Sequence, residues 1–156
     1  MKMFEISDTV PNEKVHLPKP PTKFFEAIGG MEGMKKFMYD FYDRIYESDI
    51  AHFFPQEEEE FEKVKKKNTL FFTQLCGGPA VYEESSQNLH DYMVSFHSDF
   101  SIDERARIEW LSVMAETLED LDLDPELKKA FWDYVEALSK LMVNVAGKED
   151  KFVQAY

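Results

Sequence analysis

An all-α domain is what this sequence predicts, on three observations. Apolar residues recur at spacings of three and four through several long segments. Residues that start and stop helices bracket the clearest of them. No segment alternates apolar and polar residues between turn signals, so no strand is expected. At 156 residues the chain fits one domain, large enough to bury about two thirds of its unfolded surface.

Residues 1–21 read as an N-terminal arm, because Pro11, Pro18, Pro20 and Pro21 interrupt any helix or central strand. Met3, Phe4, Ile6 and Val10 give this arm the means to dock on the body, and its role is not readable from composition. Thr22 is placed to cap a short helix through Ile28, which Gly29 and Gly30 then end. From Met31 to Tyr46, Met31, Met34, Phe37, Met38, Phe41 and Ile45 form one apolar face, widened by Tyr42 and Tyr46. Next comes IAHFFP, a corner closed by Pro55 that offers Phe53 or Phe54 to the core.

Gln56 to Leu75 opens with four glutamates and continues into KVKKK, a pattern that suits a helix with a solvated face. Acidic residues oppose the positive end of the helix dipole, and Glu59 with Lys63, and Glu62 with Lys66, stand at the favourable i,i+4 spacing. Its apolar stripe is Phe61, Val64, Phe71, Phe72 and Leu75, with a polar Asn68 standing in the row. Gly77, Gly78 and Pro79 stop it. Ala80 to Gln87 shows no period and reads as a loop before a helix that ends at His97.

After a break at Ser98 and Asp99, Ser101 and Glu104 make an S-x-x-E capping box. The helix that follows is expected to bury Ala106, Trp110, Val113, Met114, Thr117, Leu118 and Leu121. In the last helix Asp124 is the cap, Pro125 takes the first helical position and Gly147 is the stop. Leu127, Phe131, Tyr134, Leu138, Leu141 and Val145 line its core face. The domain therefore spans residues 22–147, with 148–156 as a tail.

The net charge of −13 disfavours nucleic acid and anionic membrane surfaces as partners, since both reward clustered Lys and Arg. The opening residues have no run suited to a signal peptide, and no 18-residue apolar stretch occurs, so a cytoplasmic protein is expected. A single cysteine, Cys76, excludes an internal disulfide and agrees with a reducing compartment. Aromatic residues reach 15%, with fourteen Phe and eight Met, more than a minimal bundle needs. A large apolar guest would account for the excess.

Phosphate-binding glycine loops, H-E-x-x-H, C-x-x-C and C-x-x-C-H are all absent. Cys76 stands at a helix C-terminus, where the dipole disfavours a thiolate. Of four histidines, His16 lies in the arm and His52 in the corner. His90 and His97 share a similar helix face, and spacing alone does not choose between them. His97 is favoured by its position at the break, among Met93, Phe96, Phe100 and Ile102. A neutral imidazole in apolar surroundings suits a haem iron as proximal ligand, though core packing or a frayed helix end would equally explain a histidine there.

Several motifs in order then resemble one family, the group II truncated haemoglobins. They are FFEAIGG, FYDRIYESD, HFFP, GGP followed by Tyr82, the run H-x-x-F-x-I-x-x-x-x-R-x-x-W-L-x-x-M from His97 to Met114, and DYVEALSKLMVN. The resemblance covers roughly residues 24–144. It implies a globin-like, two-over-two helical sandwich around haem b, with 22–147 as the truncated globin domain.

Carried over residue by residue, the resemblance makes His97 the proximal iron ligand, with Phe96 and Ile102 as apolar contacts beside it. Trp110 becomes the indole over the distal pocket, and Tyr42 the distal tyrosine. Phe54 wedges against the porphyrin, and Lys67 reaches a propionate. Val64 falls where many globins carry a distal histidine, and Asn68 one turn further on. About two extra residues precede the Gln56–Leu75 helix, and about two more lie between Tyr82 and His97, where the family's R-G-H-P segment is missing.

The resemblance implies binding of dioxygen, and of carbon monoxide and nitric oxide, at ferrous iron. A gas that takes on negative charge gains ~1.5–3 kcal/mol from each donor aimed at it, mostly as residence time. Tyr42 and Trp110 both supply donors, so slow oxygen release is expected. Two uses follow: oxygen binding for storage, transport or sensing, or an enzyme with peroxidase or nitric oxide dioxygenase activity served by an unidentified reductase. A haem-free helical interaction module is the third class, as a monomer or homodimer like the others.

Overall fold

The computed structural model describes residues 4–10, 13–80 and 102–143. Five α-helices occur among them: α1 (Phe24–Ala27), α2 (Gly30–Tyr46), α3 (Glu58–Leu75), α4 (Glu104–Glu119) and α5 (Pro125–Met142), with a 3-10 turn at Ala51–Phe53. The expected helix ending at His97, the break after it and Ser101 lie outside the described residues. So do His90, Phe96, Val145 and Gly147.

Periodicity placed α2 and α5 well. Met34, Phe37, Met38, Phe41, Tyr42 and Ile45 are all buried on α2, while Met31 and Tyr46, expected on the same face, are exposed at its two ends. Gly29 and Gly30 have φ of 106° and 72°, values that cost glycine little, and they turn the chain directly from α1 into α2. On α5 the Asp124 side chain accepts from the Glu126 N–H, and Pro125 opens the helix. It stops at Met142, with Val143 extended, rather than running on to Gly147.

Two local expectations are corrected. The cap of α4 is Asp103, whose Oδ1 accepts from Ala106 N at 2.9 Å, so Glu104 is the first helical residue and not the reciprocal partner of a Ser101 box. No side chain caps α1, which follows Lys23 rather than Thr22. On α3 the glutamates and lysines turn to other partners than those predicted. Lys63 reaches Glu60, Lys65 reaches Asp43 of α2, and Glu62 accepts from the Tyr39 hydroxyl. Groups on α2 compete for the charged face of α3, and the pairing between helices wins there.

Helices α2 and α3 form one layer and α4 and α5 the other; α2 also packs on α4, and α1 sits against α2 and α5. This is the two-over-two arrangement. The junction of α3 with α1 is tight. Gly77 has φ +97°, and a Cβ there would lie 2.0 Å from the Thr22 carbonyl oxygen, while Phe25 N donates to Cys76 O at 3.1 Å.

One end of the interior is filled by rings. Phe131 stacks on Phe24 at 4.6 Å between centroids and meets Phe37 at 5.4 Å and Phe72 at 5.7 Å. The arm lies on the outside of α5, with Phe4, Ile6, Val15 and Leu17 packed against the core. Phe4 covers Trp132, a buried residue off the predicted stripe, whose Nε1 donates to Glu5 O at 3.0 Å. Among the described residues no helix is long and apolar enough to cross a membrane.

Candidate functional site

Between the two layers, beside the stacked phenylalanines and sharing Phe72 with them, lies a cavity of about 550 Å³. Its floor and walls come from every long helix and from the corner: Tyr42 of α2, Phe53, Phe54 and Pro55, Val64, Asn68, Phe71 and Phe72 of α3, Ile102 before α4, Ala106, Arg107 and Trp110 of α4, and Leu138, Ser139 and Met142 of α5. That volume is within the ~300–1,000 Å³ of cofactor and ligand sites, and the lining has their character, mostly apolar with a few polar groups.

Six of the nine residues expected at a site therefore border one cavity: Tyr42, Phe54, Val64, Asn68, Ile102 and Trp110. Lys67 is half-buried and not among its walls. His97 and Phe96 lie outside the described residues.

Tyr42 is held by aromatic neighbours, edge-on to Phe41 at 4.8 Å and to Phe54 at 5.8 Å. It is 3% exposed, and its hydroxyl has no hydrogen-bond partner among the described residues. Burial pushes the phenol well above its ordinary value, so the proton stays on oxygen and the group remains a donor. Trp110 meets Phe41 edge-on at 5.1 Å, and its indole N–H likewise has no partner among the described residues. Thus α2 and α4 each bring one spare donor to the same space, braced on the same ring.

Asn68 spends part of its amide on its own helix, donating from Nδ2 to Val64 O at 2.9 Å. That bond relieves the cost of a polar group in an apolar row and leaves Oδ1 and one N–H. Cys76 is buried, and burial pushes its thiol well above the ordinary range, which leaves no thiolate for nucleophilic chemistry.

Sequence reasoning missed Arg107 and Ser139. Arg107 is buried at the cavity wall, with Nε donating to Ser139 Oγ at 2.9 Å. A signal was present: Arg107 stands three residues before Trp110 in the R-x-x-W part of the motif, hence on the same helix face.

The described walls fit a large, mostly apolar group, by volume, by lining and by two donors that have no partner among the described residues. A family model of bacterial-like globins matches residues 23–144. Group 2 truncated hemoglobin YjbI of Bacillus subtilis is 28% identical over 128 residues, 81% of this chain and 92% of that protein. Among solved structures, phosphate-bound Hell's gate globin IV superposes with a TM-score of 0.77 at 25% identity, covering 97% of this chain and 92% of its own. A truncated oxygen-avid haemoglobin from Bacillus subtilis gives 0.68 at 26% identity, covering 78% of this chain and 99% of its own. The chain belongs to the bacterial-like globin family, and group II truncated haemoglobins are the members it resembles in both sequence and fold.

Proposed function

We propose that this globin holds haem b in the cavity and takes up dioxygen that it releases slowly. Family membership implies haem binding and, with it, diatomic gases as ligands. The observation that carries the finer reading is the pair of donors, Tyr42 O–H and Trp110 N–H, on opposite layers of one cavity and with no partner among the described residues. A hydroxyl and an indole N–H that border a cavity and have no partner among the described residues are open to a ligand able to accept their protons. A structurally similar protein is described as oxygen-avid, which agrees with donors of this kind.

In this reading His97 is the proximal ligand to iron, with Phe96 and Ile102 beside it. Phe54 and Val64 form apolar walls, Asn68 contributes its remaining amide groups, and Lys67 approaches a propionate. The haem supplies an iron that accepts a diatomic gas. Tyr42 and Trp110 hold their protons toward that gas, and two such bonds are worth ~3–6 kcal/mol when the gas carries negative charge.

The test is oxygen dissociation from the reduced, haem-loaded chain. Tyr42→Phe with Trp110→Phe is expected to speed release by at least ~10-fold. An unchanged rate would show that neither donor touches the gas. Donors that retain a gas this firmly also suit a reaction centre, so turnover with peroxide or nitric oxide separates storage from peroxidase or dioxygenase chemistry, with an external reductase returning electrons. A chain that develops no Soret band when haem is added would instead be a helical interaction module.

A further inference from the structure

The N-terminal arm and the cavity wall share two carboxylate oxygens. Arg107 borders the cavity with its side chain 1% exposed, and its guanidinium is held on three sides. Nε donates to Ser139 Oγ at 2.9 Å, one terminal nitrogen to Glu104 Oε2 at 2.8 Å, and the other to Glu136 Oε2 at 2.9 Å. The same Glu136 oxygen accepts from both the backbone N–H and the hydroxyl of Ser7, each at 2.9 Å. The same Glu104 oxygen accepts from the Thr9 N–H at 3.1 Å.

Further anchors continue the line. The Phe4 ring lies 5.3 Å from that of Trp132, Trp132 Nε1 donates to Glu5 O, and Lys140 pairs with Glu13 at 3.1 Å. The arm therefore meets α5 at positions 132, 136 and 140, one contact per turn along a single face.

We propose that Arg107 is a positioning residue for the gas site and that the arm is the strap that fixes it, an inference that rests on the haem and gas reading above. A guanidinium is planar and rigid, so tying Nε to α5 and both terminal nitrogens to carboxylates leaves α4 one register against α5. Trp110 is three residues further along α4 on the same face, and no hydrogen bond to a described residue holds its indole N–H. Its aim into the cavity follows that register. Two carboxylates around one guanidinium leave an excess negative charge, which the donors of Ser7 and Thr9 disperse. Releasing the arm takes those donors away, and the Arg107 cluster loosens beside the indole.

The experiment is a double-mutant cycle on the full, haem-loaded chain, with oxygen dissociation as the rate. Phe4→Ala with Ser7→Ala releases the arm, and Arg107→Lys keeps the charge while breaking the fork. Each is expected to speed release at least ~3-fold when Trp110 is present and to add almost nothing in a Trp110→Phe background. Ser7→Thr, which keeps the hydroxyl, is expected to retain the native rate. In the Trp110→Phe background Trp132 is the sole tryptophan, and its emission in the haem-free chain reports arm docking.

Equal acceleration in both backgrounds would make the arm a general stabiliser and overturn the proposal. So would an unchanged rate in Arg107→Lys, or in an arm variant whose Trp132 emission shows release. A native chain that takes up no haem would sink the underlying reading and this one with it, and Trp132 emission would still tell whether the arm docks.

Discussion

The two ends of the interior are built from the same kind of residue and do opposite things. At one end Phe24, Phe37 and Phe131 lie against one another, with centroids from 4.6 to 5.6 Å apart, and Phe72, 5.7 Å from Phe131, borders both that cluster and the cavity. At the other, Tyr42, Phe54 and Trp110 stand around a space of about 550 Å³, and two of the three carry a proton with no described partner. Aromatic content is thus no guide to a cofactor by itself. What distinguishes the ends is that one holds donors facing a cavity with no partner among the described residues, open to a ligand that accepts their protons.

Substitutions can separate the ends. Phe131→Ala, in the filled end, is expected to cost ~3–5 kcal/mol in denaturant unfolding through the cavity it leaves, with oxygen release from the remaining folded protein little changed. A large change in release rate would mean that the ends are not independent. Gly77→Ala, at the tight α3–α1 junction behind the same end, forces a Cβ against Thr22 in a left-handed conformation and is expected to cost more than ~1 kcal/mol.

In the cavity end the cost nearly vanishes. Without haem, Tyr42→Phe removes a hydroxyl that faces the cavity with no partner among the described residues, and is expected to change stability by less than ~1 kcal/mol. Marked destabilisation would show that the hydroxyl has a structural partner. The smallest effect belongs to the arm, outside both ends. Burial pushes the Glu13 carboxyl up, but the Val10 N–H and the Lys140 ammonium outweigh it and hold it below its usual 4.5. Its stabilisation is therefore full above about pH 4.5 and fades as pH falls through the lowered folded value. The stability gap between the native chain and Glu13→Gln should shrink over that acid range, and a gap that widened would contradict the ion pair with Lys140.

Long amphipathic helices were legible because their cores obey one period: the buried positions of α2 from Met34 to Ile45 are those its spacing predicts. Trp132 was not, since it lies off the Phe131–Tyr134–Leu138 stripe and is buried by the arm, a contact made across 127 residues of chain. Arg107 was missed for a related reason. A charged residue reads as solvated until Ser139 and Glu136, from another helix, are brought to it. Asp103 displaced Ser101 as a cap because two cap-competent residues precede α4 and spacing does not rank them. Of the site, the family resemblance, and not spacing, named six residues that border the cavity, and nothing in the sequence shows that Tyr42 and Trp110 have no partner among the described residues.

The most direct test is the absorption spectrum of the reduced, haem-supplied chain with and without carbon monoxide, recorded beside His97→Gly. The native chain should show a Soret band that shifts when the gas is added, and the variant should lose that band or its native position. An identical band with an identical shift in both proteins would contradict the account, because the imidazole on which the site is built would then have no part in holding the pigment.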